Sequence, residues 1–209
     1  MFNEEQLEDV TLNILENLGY ERLNGYEIDR DYHSVFMDNS LFDDLCRINK
    51  EFDEIHINEA IKTIKNLSNG NPVEDNKIFT RYLLEGVPIL VKTNSGFIYK
   101  NVKLIDFNNV NNNHFQAVQQ FTIIEFDTKR PDIILFVNGI PLVVIELKTP
   151  IKEEVKLEDA YNQLTGYKNV YIPSLFKYNQ LLIISDGVTA KAGTITSRYS
   201  RFSDWKKVE

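Results

Sequence analysis

The 209-residue chain has few of the side chains that build most metal and redox centres. Its single cysteine, Cys46, excludes an intrachain disulfide and a cysteine-based zinc site, and its three histidines, His33, His56 and His114, are widely scattered. Any metal must therefore be held by oxygen ligands. No run of 18 or more apolar residues occurs, and the acidic start MFNEEQLEDV lacks the basic-then-apolar order of a signal peptide. The expectation is a cytoplasmic protein with no membrane contact.

Basic charge is also scarce. The formal net charge is −8, which argues against a nucleic-acid partner, because phosphate binding draws on Lys and Arg displacing counterions. The distribution qualifies this: residues 1–60 hold 16 acidic and 4 basic side chains, residues 61–209 hold 15 and 19. The acid is concentrated at one end. The rest is only mildly basic, so the chain alone is expected to bind DNA weakly and to rely on other domains for delivery.

What is present suits a folded domain. With 43% hydrophobic and 26% charged residues, the composition predicts one globular unit over 1–209, with a possible helical lobe at 21–90 and a core at 91–200. Leu7, Val10, Ile14, Leu15 and Leu18 recur at helical spacing, and Gly19 is a stop signal. Residues 22–53 are turn-rich with little period; 57–67 is again helical, and Asp75 is a candidate cap for a helix over 77–86. From Val87 the pattern turns to strands: PILVKT, FIYKNVKLI, FQAVQQFTIIEF, with NNVNNN as a loop. Two β-branched runs then flank Asn138-Gly139, a strong hairpin signal, and Pro150 closes the second. A helix from about Glu153 to Asn169, the strand LLIIS, a turn at Asp186-Gly187 and a strand-like run to about Thr196 complete an α/β reading: a central mixed sheet flanked by helices.

The chemistry concentrates in RPDIILFVNGIPLVVIELKTP (130–150). Residues two apart on a strand share a face, so Glu146 and Lys148 project together, with Val144 on their side and Ile145 and Leu147 facing a core. Asp132 joins them only if the hairpin is offset. A simple two-residue loop pairs it with Ile145 on the wrong face, so an odd-length loop or a bulge, for example at Gly139, is expected. Hydrolysis of a phosphodiester needs a nucleophilic water, neutralisation of charge on the phosphate and a stabilised leaving oxygen. Two carboxylates can hold Mg²⁺, the Leu147 carbonyl can add a ligand, and the lysine can orient or help deprotonate the water. E-x-K alone also describes the solvated mouth of an ordinary sheet; Pro131-Asp132 and the NG hairpin are what favour function.

At these residues the sequence resembles the PD-(D/E)xK nuclease superfamily, and specifically the N-terminal nuclease domain of the R subunit of type I restriction-modification enzymes. The resemblance runs from LEDVTLNILENLGY through RYLLEGVPI, VKLIDFNNVNNNHFQAVQQF and the RPD…ELK block to DAYNQLTGYKNVYIPSLFKYNQLLIISDGVTAKAGTITSRYSRFSDW. It implies a restriction-endonuclease-like core and a Mg²⁺-dependent endonuclease acting on double-stranded DNA, in a complex with methyltransferase and specificity subunits. Gln163 and Tyr167 match the Q-x-x-x-Y pattern of the RecB-like branch, and their i, i+4 spacing places both on one helix face. Glu8 matches the helix glutamate that joins the metal site in many members; it precedes Gly19-Tyr20 by the interval seen in archaeal Holliday-junction resolvases, although Glu4, Glu5 and Glu16 also fit a solvated acidic face.

The sequence departs from complete R subunits in having no G-x-x-x-x-G-K-[ST] phosphate loop. ATP use would then belong to motor domains absent from this chain, which is expected to be the N-terminal part of a longer polypeptide; a free-standing relative is the alternative. Two other functions stay open: a non-catalytic docking module, suited to the acidic first 60 residues, and a stand-alone repair nuclease.

Overall fold

A computed structural model describes residues 3–149 and 157–205. Helix α1 (Glu4–Asn17) starts at Asn3, whose side chain accepts from the Gln6 amide while Gln6 returns the bond, a reciprocal cap. Gly19, at φ +96°, follows its end. Strand β1 (Glu21–Asn24) and helices α2 (Asp38–Ile48), α3 (Glu54–Lys65) and α4 (Pro72–Glu85) come next. The cap of α4 is Asn71, which accepts from the Val73 amide, with Pro72 in the first turn. Asp75 instead lies inside that helix and accepts from the backbone and side chain of Asn69. Strands β2 (Val87–Thr93) and β3 (Gly96–Val102) form a separate hairpin, and β4 (Phe115–Gln119) enters the main sheet.

The remaining elements are a small hairpin of β5 (Ile123–Ile124) and β6 (Thr128–Lys129), then β7 (Ile133–Val137), β8 (Ile140–Leu147), α5 (Leu157–Gly166), β9 (Leu181–Ser185), β10 (Ala190–Gly193) and β11 (Ser203–Asp204). The expected start of the fifth helix near Glu153 falls outside the described residues. Its end differs from the expectation: the α-helix stops at Gly166 and continues as a π-helical turn, Tyr167–Tyr171.

Among the described residues the central sheet has seven strands in the order β1-β4-β7-β8-β9-β10-β11. The β1–β4 and β8–β9 pairs are parallel and the others antiparallel, so the sheet is mixed and the five α-helices flank it. Both faces are covered. One carries Ile134, Phe136, Val144, Leu182 and Ile184 into a large core with α2 to α5. The other sets Ala117, Ile133, Leu135, Ile145 and Leu147 against Leu7 and Leu12 of α1. This second core is small, which explains why Val10, Ile14 and Leu18 of the apolar stripe remain exposed at 42%, 56% and 71%.

The β7–β8 hairpin sets the geometry of the candidate site. Its loop is the two residues Asn138-Gly139, at φ +51° and +74°, closed by the pair Val137↔Ile140. Neither an odd loop nor a bulge at Gly139 is present. The offset comes later: Phe136 pairs with Pro141 but Leu135 pairs with Val143, leaving Leu142 as an extra residue. Pro141 has no amide to donate to the ladder, and the bulged Leu142 carbonyl is satisfied by the Gln180 amide (2.7 Å) and Asn179 Nδ2 (3.1 Å). From there Ile133 pairs with Ile145, so Asp132 falls opposite Glu146, on its face. The turn is itself buried: a Cβ on Gly139 would meet the Leu41 Cα and the Met37 carbonyl oxygen at 2.9 Å.

Candidate active site

The sheet's connectivity brings the ends of β4, β8 and β9 and the start of β7 to one edge of the molecule. Asp132, Glu146 and Lys148 meet there. Glu146 is fully buried and Asp132 is 6% exposed. Asp132 Oδ2 accepts from the Leu147 amide at 2.7 Å, which ties the first carboxylate to the strand bearing the second. Lys148 Nζ lies 3.5 Å from Glu146 Oε1, and its own amide donates to the Ser185 carbonyl at 2.9 Å, fixing the strand end. The Leu147 side chain points the other way, into the small core.

Helix α1 supplies two more carboxylates. Glu8 is 8% exposed and accepts from Gln120 Nε2 at 3.0 Å, while the Gln120 amide donates to the Asp132 carbonyl at the same distance. Gln120 has φ +52°, a conformation non-glycine residues rarely adopt, and it lets both of its donors reach the site. One turn earlier on α1, Glu4 Oε1 receives Lys148 Nζ at 2.9 Å. Sequence reasoning missed the roles of Glu4 and Gln120. The i, i+4 relation of Glu4 to Glu8 was a usable signal for the first; nothing in the sequence marks Gln120.

Gln163 and Tyr167 meet as their spacing predicts, with Gln163 Nε2 donating to Tyr167 Oη at 2.7 Å. Burial, with the charge of Glu146 and Asp132 added, pushes the Tyr167 phenol well above its ordinary pKa. The ring thus faces the carboxylates as a neutral phenol and carries Gln163 with it.

Buried and neighbouring carboxylates in this cluster repel each other. Burial first, then the neighbouring Asp132 charge, raises Glu8 to about 7. Burial raises Asp132 to about 6, against relief from the Leu147 amide and Lys148. Glu146 is driven well above its usual value, chiefly by burial and next by Asp132. Burial works against the Lys148 ammonium, but Glu146, Glu4 and Asp132 outweigh it and its pKa rises. The lysine is held as a cation.

Such a site is short of positive charge. Glu146 Oε2 is buried with no hydrogen-bond partner, an orphaned acceptor of the kind a hard cation satisfies. Among the described residues no three His, Cys, Asp or Glu side chains converge on a single metal position. The residues that could hold such a cation are Glu146, through its orphaned oxygen, and Asp132, which falls opposite it on the same face.

Residues 1–201 match the profile of the type I restriction enzyme R protein N terminus. The chain is similar to the type I restriction enzyme HindI endonuclease subunit of Haemophilus influenzae, 36% identical over 100% of this chain and 21% of that protein. It also resembles the putative MjaIXP endonuclease subunit of Methanocaldococcus jannaschii, at 34% over 97% of this chain and 20% of the relative. A type I restriction enzyme endonuclease subunit of Staphylococcus aureus (strain COL) is 29% identical over 90% of this chain and 19% of its own length. The chain spans about a fifth of these curated relatives.

Proposed function

The chain belongs to the type I restriction enzyme R protein N-terminal family, and from that premise we propose that it is the Mg²⁺-dependent endonuclease domain of such an enzyme, hydrolysing phosphodiester bonds of double-stranded DNA. The observation that carries the reading is the unpartnered, fully buried Oε2 of Glu146, on the sheet face it shares with Asp132 and beside a lysine kept charged. Asp132 and Glu146 would hold the metal, with the Leu147 carbonyl as an added ligand. When bound, Mg²⁺ would polarise the phosphate and make its water more acidic. Lys148 orients the attacking water and offsets charge on the phosphate; as a cation it is not the base. Glu8, titrating near 7 and steered by Gln120, is suited to exchange a proton with that water or to join the metal shell. Tyr167 and Gln163 border the recess and support placement of the strand.

The docking alternative calls for acids that are scattered or buried against arginines. Glu4 and Glu146 bonded to Lys148, with Asp132 opposite Glu146 and Glu8 tied in through Gln120 and no arginine bonded to any of them among the described contacts, support catalysis instead. Methyltransferase and specificity subunits are the proposed partners. Cleavage of duplex DNA with Mg²⁺ by the complete complex, wild type against Asp132→Ala and Lys148→Ala, tests the proposal; undiminished cutting by either variant overturns it.

A further inference from the structure

Other residues face outward at the catalytic edge. Because β1 is parallel to β4, and β4 antiparallel to β7, the turn after β1 and the β5–β6 hairpin lie at the sheet end where β7 begins with Asp132 and β8 delivers Glu146 and Lys148. Aromatic rings are displayed there: Phe126 is 77% exposed, Tyr26 58% and Tyr171 37%. Cations sit over two of them, with the Arg130 guanidinium 5.3 Å from the Tyr26 ring centre and the Lys129 ammonium 4.1 Å from that of Tyr171.

Phe126 is the most exposed of these rings, yet its hairpin is firmly held. Its amide donates to the Tyr171 carbonyl (3.1 Å), Glu125 Oε2 accepts from the amide and hydroxyl of Ser174 (3.0 and 2.7 Å), and the Ile124 amide donates to the Tyr32 carbonyl (2.9 Å). A ring at the tip of a pinned hairpin contributes nothing to the core and loses little conformational freedom on contact. Asp132 lies six positions further along, at most about 20 Å of extended chain, or the rise of about six base pairs. Charge is balanced on the hairpin, since Lys129 pairs with Asp127 at 2.6 Å and Arg130 is offset by Glu125. What it offers DNA is therefore an apolar contact more than an ionic one.

We propose that Phe126 is an apolar wedge for duplex DNA, pressed against the bases beside the scissile phosphate by the β5–β6 hairpin, with Tyr26, Arg130 and Tyr171 lining the path to Asp132. The inference rests on the nuclease reading of the adjoining site. Wedge residues of this kind unstack a base step and so couple binding to local bending.

Binding of a short fluorescent duplex by the 209-residue chain, at low salt without added metal, tests it by anisotropy. Phe126→Ala is expected to weaken binding about five-fold or more, Phe126→Trp to retain it, and the slope of log affinity against log salt to stay the same, since no phosphate contact is lost. Equal binding by Phe126→Ala overturns the wedge, and is the result expected if a partner protein occupies this face instead. The two readings separate through Asp132→Asn. Loss of cleavage in Asp132→Asn with unaltered binding by Phe126→Ala removes only the wedge, whereas weakened binding by Phe126→Ala with undiminished cleavage in Asp132→Asn removes only the nuclease. A wild-type chain that binds no duplex overturns the wedge, whereas the nuclease reading is decided by cleavage in the complete complex.

Discussion

Replacing Asp132 with asparagine should make the metal-free chain more stable while making it inert. The Asp132 carboxyl titrates near 6 in the folded chain against 3.8 when unhindered. Between those values the folded chain binds more protons than the unfolded one, so the contribution of Asp132 to stability falls as the pH rises through them. Above about pH 6 the accumulated penalty is about 2–3 kcal/mol. Asparagine keeps an oxygen for the Leu147 amide and removes the charge that crowds Glu146 and Glu8. For a chain of this length that gain corresponds to about 5–10 °C in Tm. Thermal unfolding in a chelating buffer should show it at neutral pH and show it vanishing near pH 4, where the wild-type carboxyl is also neutral. Adding Mg²⁺ should then stabilise the wild type by mass action and leave the variant nearly unmoved. A variant no more stable than wild type at neutral pH, or a gain that persists unchanged to pH 4, refutes the reasoning and makes Asp132 an ordinary structural carboxylate.

Other perturbations report on other parts of the arrangement. Lys148→Ala leaves Glu146 without its cation and should lower Tm at neutral pH as well as abolish cleavage; adding Glu146→Gln should restore Tm but not cutting, which separates charge balance from chemistry. Gly139→Ala forces a Cβ onto the Leu41 and Met37 backbone at positive φ and should cost about 2–4 kcal/mol in denaturant unfolding. Tyr167→Phe removes the acceptor of the Gln163 amide; about 1 kcal/mol of stability should be lost, with a cleavage defect larger than that loss accounts for.

Local pattern made some of this legible. The alternation around Asn138-Gly139 announces the β7–β8 hairpin, and LLIIS is found as β9 at its expected bounds. The two-residue period puts Glu146 and Lys148 together, and the four-residue spacing does the same for Gln163 and Tyr167. Longer-range facts were not readable. Strand β1 went unrecognised because its four residues carry no distinct alternation, whereas helix α2 was overlooked although Leu41, Leu45 and Ile48 recur at helical spacing along its buried face. The cap of α4 was misplaced from Asn71 to Asp75, both being residues that favour helix starts.

By itself, then, the sequence determined the mixed α/β class and a carboxylate and a lysine on one face of a strand. Tertiary structure decided whether Asp132 would face them. That choice turned on the bulge at Leu142, an extra residue held by Gln180 and Asn179 from a neighbouring segment. It also decided that α1 would bring Glu4 and Glu8 across 112 or more positions of sequence to Lys148 and Gln120. Periodicity reports which side of its own element a residue occupies; which elements share an edge depends on sheet order and register, and these are settled only when the two faces of the sheet are buried together.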